Sequence, residues 1–119
     1  MITHIDTGKE GEALAVAWLR QRDYTILHCN WRYGKLEIDI VATKGQFLHF
    51  VEVKTLRKSR YGNLPEASVT KKKFKHLQRA ADEYLHQHPG HKWIQYDVLA
   101  ITLLGNGEAE YFLLADVFL

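Results

Sequence analysis

Two short apolar segments, each carrying acidic residues, constrain the fold of this chain most. The first is Glu37-Ile38-Asp39-Ile40-Val41, and the second is Phe50-Val51-Glu52-Val53-Lys54. Both are rich in β-forming residues, and Lys44-Gly45 between them fits a two-residue turn, so the pattern predicts a hairpin. Nearly all of the flanking residues are apolar, as in a central strand buried on both faces, where acidic side chains are rarely left unpaired.

Strand geometry predicts how the acids of the first segment are distributed. Alternate residues of a strand share a face, so Glu37, Asp39 and Val41 should point one way. Ile38 and Ile40 should then point the other way. The acids are therefore expected on one face of the sheet and the isoleucines on the opposite face.

The second segment places Glu52 and Lys54 on one face in the same way. With the turn at residues 44–45, Glu37 is predicted to lie opposite Glu52, with Asp39 on the diagonal. Like charges in opposed positions destabilise a sheet unless a cation lies between them, so a metal ion is the expected occupant. Because the cluster consists of carboxylates, Mg²⁺ or Mn²⁺ is favoured over zinc.

Lys54 follows Glu52 by two residues and could position a water nucleophile or stabilise charge that develops on a phosphate. The structural alternative is an exposed sheet face on which the acids and Lys54 only pair across the strands. The apolar flanks argue against that alternative. The spacing alone, Asp39 followed after twelve residues by Glu-x-Lys, is loose enough to recur by chance.

The remaining pattern predicts one α/β domain over residues 1–119, a length that suits a single core. Thr7-Gly8-Lys9-Glu10 fits a capping box at the start of a helix over 7–22, and helical apolar spacing predicts a second helix over 68–86. Strands are predicted over 24–32, 36–43, 46–55, 93–103 and 110–114. This order favours a mixed sheet of about five strands flanked by helices.

Composition excludes several classes of protein. The apolar and charged fractions, 46% and 25%, are typical of globular chains. The longest apolar run, Ala13 to Leu19, is too short for a membrane span, and the N-terminus lacks the pattern of a secretory signal, so we expect a cytoplasmic protein. Cys29 is the only cysteine, which excludes an internal disulfide and a cysteine-only zinc site.

The net charge of +2 conceals an uneven distribution of charge. Between Lys54 and Arg79 there are nine basic residues and one acidic residue, whereas the rest of the chain has seven basic and thirteen acidic residues. A cationic segment of this kind suits a polyanion such as nucleic acid, although a solvated helix and loop would explain it equally well. The candidate contacts to a nucleic-acid backbone are Lys71, Lys72, Lys75, Arg57 and Arg79.

Asp39 followed by Glu52-Val53-Lys54 resembles the signature of the PD-(D/E)XK nuclease superfamily. More narrowly, the chain is similar to the YraN family of small bacterial proteins. The motifs that carry this similarity are Gly11-Glu12, Asn30-Trp31-Arg32, Glu37-Ile38-Asp39, Phe50 to Thr55, Tyr61-Gly62 and Lys71 to Lys73. They cover nearly the whole chain in order. The resemblance implies a restriction-endonuclease-like fold more directly than it implies a substrate.

The resemblance extends to archaeal Holliday junction resolvases, in which a Glu of the first helix joins the strand carboxylates at the metal. By position, that residue is Glu12 in this chain. The sequence departs from the family pattern at Leu36, where Gly commonly precedes Glu-Ile-Asp. It departs again at Leu56, where Arg usually follows Lys-Thr, although Arg57 is adjacent. Neither departure removes a candidate metal ligand.

The sequence therefore predicts a Mg²⁺- or Mn²⁺-dependent endonuclease whose substrate is DNA, including branched or structured forms. The expected catalytic residues are Asp39, Glu52, Lys54 and Glu12, with Glu37 as a further metal ligand. One alternative is a nucleic-acid-binding module that keeps the fold without significant catalysis. Another is a protein-interaction domain whose charges only provide solubility. No membrane partner is expected, and a homodimer is compatible with the sequence.

Overall fold

A computed structural model describes residues 4–57 and 71–117, with side chains from residue 8 onward. Its elements, in chain order, are α1 (His4–Gln21), β1 (Thr25–Tyr33), β2 (Leu36–Lys44), β3 (Phe47–Arg57), α2 (Lys71–Gln87), β4 (Trp93–Leu103) and β5 (Ala109–Leu114). The strands form one sheet in the order β1-β2-β3-β4-β5. Only β3 and β4 are parallel, and the chain between them contains α2. The predicted α/β class, with a five-stranded mixed sheet and flanking helices, is confirmed.

Helix α1 packs on one face of the sheet. The buried cluster on this face joins α1 to the three central strands and consists of Ala15, Leu19, Ile40, Ala42, Val51, Leu99, Ile101 and Leu103. The helix comes so close to β3 that a Cβ atom at Gly11 would overlap the side chain of Thr55. A glycine is therefore required where α1 crosses β3, one residue before Glu12.

Helix α2 packs on the opposite face and is amphipathic. Its buried residues recur at helical spacing and are Phe74, Leu77, Ala80, Ala81 and Tyr84. They meet the side chains of β2 and β3 that do not belong to the α1 cluster, among them Val41, Leu48 and Phe50. Neither described helix is both long and apolar enough to cross a membrane.

The bounds of the strands agree with the predicted bounds to within two residues, but the start of α1 does not. The helix begins at His4, so Thr7 lies inside it and the predicted capping box is wrong. Glu10 instead accepts a hydrogen bond from Arg57 at 3.2 Å, because α1 lies against the end of β3. The predicted start of the second helix at residue 68 and the Tyr61-Gly62 motif lie outside the described residues.

The predicted hairpin turn is also wrong, by one residue. Lys44 pairs with Phe47, so the two turn residues are Gly45 and Gln46. Gly45 has φ of +60° and occupies the first turn position, as in the type II′ turns that suit the twist of a hairpin. The register consequently shifts by two residues. A two-residue shift by itself moves no side chain to the other face, since side chains alternate with a period of two.

Strict alternation fails in one place, around Asp39. Ile38 packs in the α2 cluster and Ile40 in the α1 cluster, so the prediction that these two residues share a face is wrong. In the pairing of β1 with β2, Cys29 lies opposite Ile40 and Trp31 lies opposite Ile38. Asn30, between Cys29 and Trp31, has φ of 53°. Asp39 itself is paired with neither β1 nor β3, so β2 is irregular at the residue between Ile38 and Ile40.

The contact between Gly11 and Thr55 yields a prediction about stability. Gly11→Ala should lower the free energy of unfolding by about 1–3 kcal/mol, because the added methyl group forces α1 away from β3. Gly8→Ala is the matched control: nothing lies within 4 Å of a Cβ atom there, so it should be neutral or slightly stabilising. Chemical denaturation measures both. Equal stability of the two variants would contradict the close approach.

Candidate active site

A cleft of about 460 Å³ lies between the first turns of α2 and the adjoining ends of β2 and β3. It combines acidic, basic and apolar side chains. Its lining residues are Lys35, Leu36, Glu37, Asp39, Glu52, Lys72, Lys73, His76 and Leu77. Three of the predicted metal ligands and one predicted nucleic-acid contact, Lys72, are therefore brought together.

The cleft opens at a fork, defined as the place where β2 and β3 separate beyond their last pair, Ile40↔Val51. Asp39 precedes Ile40 in β2, and Glu52 follows Val51 in β3, so these two acids are the first residues on either side of the fork. Asp39 and not Glu37 is consequently the acid across from Glu52. The predicted pairing of Glu37 with Glu52 is wrong because the turn lies one residue later than expected.

Asp39 replaces the missing strand pairing with a side-chain contact. Its Oδ2 atom accepts a hydrogen bond from the backbone N–H of Val53 at 2.8 Å. The carboxylate thereby supplies an acceptor that the backbone of β2 no longer offers at the fork. The same contact fixes Asp39 beside Glu52, the neighbour of Val53 in β3.

The surroundings of Asp39 penalise its negative charge. Burial raises the pKa of Asp39 to about 7, and repulsion from Glu52 contributes the next largest effect. The hydrogen bond from Val53 opposes this shift, while Glu37 and Glu12 add to it. In the absence of a cation, Asp39 is therefore partly protonated at neutral pH, and a bound cation would favour its ionised form.

Glu52 and Lys54 follow each other on the same side of β3. The Nζ atom of Lys54 lies 3.5 Å from Oε1 of Glu52, and both side chains are about one-fifth exposed. The predicted proximity of Asp39, Glu52 and Lys54 is thus observed. It arises because a two-residue change of register leaves their common face unchanged.

Lys73, which belongs to the Lys71 to Lys73 motif, and His76 were not predicted as site residues, yet both line the cleft. Contact with Lys54 lowers the pKa of Lys73, as do repulsion from the Lys54 ammonium group and burial, while Glu52 and Asp39 oppose the shift. The spacing contained a signal for Lys73: it precedes the buried Leu77 by one helical turn. It therefore extends the stripe of α2 that faces the sheet.

Glu37 and Glu12 lie farther from the centre of the site. Glu37 lines the cleft and forms an exposed ion pair with Arg32 at 3.5 Å. Glu12 of α1 is not among the cleft residues, and its Oε2 atom accepts a hydrogen bond from Asn30 at 3.0 Å. Both remain close enough to raise the pKa of Asp39.

The oxygen donors fit a hard cation. Within residues 4–57 and 71–117, no three His, Cys, Asp or Glu side chains are gathered closely enough to form a complete protein cage for a metal. Mg²⁺, however, is usually held by one or two carboxylates, with water and substrate phosphate completing its shell. Asp39 and Glu52 supply such a pair.

The other predicted nucleic-acid contacts are spread over the surface. Lys71, Lys75 and Arg79 are exposed along one stripe of α2, outside the cleft. Arg57 is half-buried on the α1 side, where it pairs with Glu10. The structure therefore groups the basic residues of α2 beside the cleft and places Arg57 apart from them.

Most of the chain is similar to proteins of one family. A sequence model of the uncharacterised protein family UPF0102 matches residues 11–101, which include all the cleft residues. A UPF0102 protein of Phocaeicola vulgatus is 42% identical over 106 residues, which cover 89% of this chain and 85% of that protein. One from Cytophaga hutchinsonii is 41% identical over 99 residues, which cover 83% of this chain and 87% of that protein. One from Dehalococcoides mccartyi is 43% identical over 83 residues, which cover 70% of this chain and 68% of that protein.

The raised pKa of Asp39 yields a prediction about stability and pH. Because the folded-state pKa lies above the ordinary value of 3.8, ionisation destabilises the metal-free fold progressively between about pH 4 and pH 7. Asp39→Asn, which can still accept the Val53 N–H, should therefore stabilise the protein in EDTA. The gain should be about 2–3 kcal/mol larger at pH 8 than at pH 5.

Chemical denaturation at the two pH values measures this difference. Glu37→Gln serves as the control, since loss of its exposed ion pair should change stability by less than about 1 kcal/mol. If Asp39→Asn instead lowers the stability of the metal-free protein at pH 8 by more than about 1 kcal/mol, Asp39 is a structural pairing residue.

Proposed function

The chain belongs to the uncharacterised protein family UPF0102, in agreement with the family resemblance of its sequence, and we propose that it is a metal-dependent nuclease that hydrolyses phosphodiester bonds in DNA. The observation that carries the proposal is the fork, where Asp39 and Glu52 meet with Lys54 beside them. The two acids line the cleft, and Lys54 lies beside Glu52. The resemblance to PD-(D/E)XK nucleases rests on the same three residues.

Asp39 and Glu52 would hold the Mg²⁺ or Mn²⁺ ion, and Glu12 and Glu37 would add negative charge around them. When bound, such an ion would supply Lewis acidity toward the phosphate and lower the pKa of water. Asp39 is already oriented by the Val53 N–H through one carboxylate oxygen, which leaves the other oxygen for coordination. Preorientation of this kind reduces the rearrangement needed on binding.

Lys54 would act on the substrate or on the attacking water. Its ammonium group lies against Glu52, so a phosphate oxygen or water molecule beside the carboxylates would come within its reach. A fixed positive charge at this place stabilises the negative charge that develops on phosphorus-bound oxygens during hydrolysis. It can also orient the water by hydrogen bonding.

The basic surface of α2 supports DNA as the substrate. Lys72 lines the cleft, and Lys71, Lys75 and Arg79 are exposed on the same helix. Lysine and arginine side chains of this kind hold phosphates and position a duplex without reading its sequence. We therefore expect contacts along the DNA backbone on either side of the bond that is cleaved.

A second candidate function is a DNA-binding module without significant catalysis. One observation favours it: Glu12 and Glu37 are each engaged by a neighbouring side chain, so that two carboxylates of the described residues, Asp39 and Glu52, meet at the fork. Such a module would retain the basic surface of α2. It would differ from the nuclease in its response to metal ions and in its products.

The first test of the nuclease concerns metal binding. Millimolar Mn²⁺ or Mg²⁺ should raise the melting temperature of the wild-type protein, because a ligand that binds only the folded state stabilises that state. Asp39→Ala combined with Glu52→Ala should abolish the rise, whereas Glu110→Gln, an exposed acid on β5, should leave it unchanged. A rise of equal size in all three proteins would contradict a metal site at the fork.

The second test is cleavage itself. Labelled single-stranded, duplex and branched DNA should be cut with Mg²⁺ or Mn²⁺ and left intact with EDTA. Glu52→Ala and Lys54→Ala should each lower the rate at least about 100-fold, since each removes a charge that acts in the transition state. Absence of wild-type cleavage, with DNA affinity retained, would favour the binding module. Cleavage that survives Glu52→Ala would contradict the assignment of this site.

A further inference from the structure

We propose that Lys73 is a second catalytic lysine, which holds a non-bridging oxygen of the scissile phosphate together with Lys54. The inference rests on the proposed function and extends it by one residue and one ligand group, a phosphodiester. It also assigns a role to α2, which lies outside the carboxylate hairpin. Lys73 is marked out by its position in the helix, by its contact with Lys54 and by the charges around the pair.

The position of Lys73 is set by the docking of α2 on the sheet. Leu77 lies one helical turn later and is buried against β2 and β3, and Tyr84 continues the same stripe. Since residues one turn apart share a face, Lys73 extends this stripe over the fork. It lines the cleft, whereas Lys71 and Lys75 do not. The docking of α2 therefore places Lys73 in the same cleft as Asp39 and Glu52, beside Lys72 of the same helix.

The side chains of Lys73 and Lys54 lie in contact, which lowers the pKa of Lys73, and repulsion between the two groups lowers it further. Like charges this close repel, and Glu52 and Asp39 offset part of the repulsion. The four side chains thus bring together two negative and two positive groups. The two acids repel each other, and so do the two lysines. A cation between the acids, or an anion between the lysines, would turn that repulsion into attraction.

Metal binding would change this balance in a defined way. Asp39 and Glu52 would hold a divalent cation, and their charges would then no longer compensate those of the two lysines. Lys54 and Lys73 are then a positively charged pair beside a bound metal, which is the environment that favours a phosphate oxygen. The structure therefore predicts that metal and phosphate bind cooperatively, with Lys73 acting on the phosphate.

Lys73 could instead serve only to fasten α2 to the acids of the sheet. In that case its loss would lower stability and would disturb metal binding and catalysis together. A phosphate-holding lysine predicts a different result: metal binding persists, while catalysis and the metal-dependent part of DNA affinity decline. The two roles can therefore be separated with variants of Lys73.

The experiment compares Lys73→Ala, Lys73→Arg and a control, Lys92→Ala. Lys92 is exposed and adjoins the start of β4, which pairs with the start of β3, so it lies at the end of these strands remote from Glu52. Three quantities are measured: kcat and KM for DNA cleavage, the Mn²⁺-dependent rise in melting temperature, and the affinity for a labelled oligonucleotide. The affinity is measured with Ca²⁺, in place of the catalytic ion, and with EDTA.

Lys73→Ala should lower kcat at least about 100-fold and retain the Mn²⁺-dependent rise. Its affinity for the oligonucleotide should fall about tenfold when measured in Ca²⁺ and should change little when measured in EDTA. Lys73→Arg should recover much of kcat and affinity, because it keeps the charge. Lys92→Ala should match the wild type. The proposal is overturned if Lys73→Ala keeps wild-type kcat, or if it loses the Mn²⁺-dependent rise.

The outcome remains informative if the wild type cleaves no DNA. That result would overturn the nuclease and leave the oligonucleotide affinity as the measure of Lys73. A loss with Ca²⁺ that is specific to Lys73→Ala would then support the phosphate contact on a binding module. Equal affinity of Lys73→Ala and Lys92→Ala would overturn the phosphate contact as well.

Discussion

The hydrogen bond from the Val53 N–H to the carboxylate of Asp39 is the contact on which the geometry of the cleft depends. It forms where the pairing of β2 with β3 ends, so it keeps the two strands close enough for Asp39 to face Glu52 yet leaves the cleft between them open. Without this acceptor the backbone donor of Val53 would lose its partner at the fork. The side chain of Asp39 thus satisfies a backbone donor of the sheet and also contributes to the candidate metal site.

The charges around the fork explain why such an arrangement would be retained. Asp39 is destabilised by burial and by Glu52, and Lys73 by its contact with Lys54. Groups with perturbed pKa values of opposite type, gathered in one cleft, are more typical of functional sites than of structural ion pairs. A cation between the acids and an anion between the lysines would relieve both repulsions at once, which links the metal to the phosphate.

The sequence was sufficient to predict the fold class and the meeting of Asp39, Glu52 and Lys54, because the period of a strand determines faces whatever the register. It did not determine the register, since Lys44-Gly45 and Gly45-Gln46 are both acceptable turns until strand twist selects one. Ile38 was misplaced because β2 is irregular at Asp39, which pairs with neither neighbouring strand. Lys73 was recognised as part of a lysine motif but not as a site residue, because its place beside the acids depends on how α2 docks against the sheet.

The central claim is that Asp39 and Glu52 hold a divalent cation at the fork. A crystal of the wild-type protein soaked in Mn²⁺ and measured for anomalous scattering tests it most directly. The account predicts a peak at about 2.1 Å from a carboxylate oxygen of each acid, with the Asp39 contact to Val53 preserved. A fork that shows no peak at millimolar Mn²⁺, or a peak coordinated by Glu12 or Glu37 without Asp39 and Glu52, would contradict it.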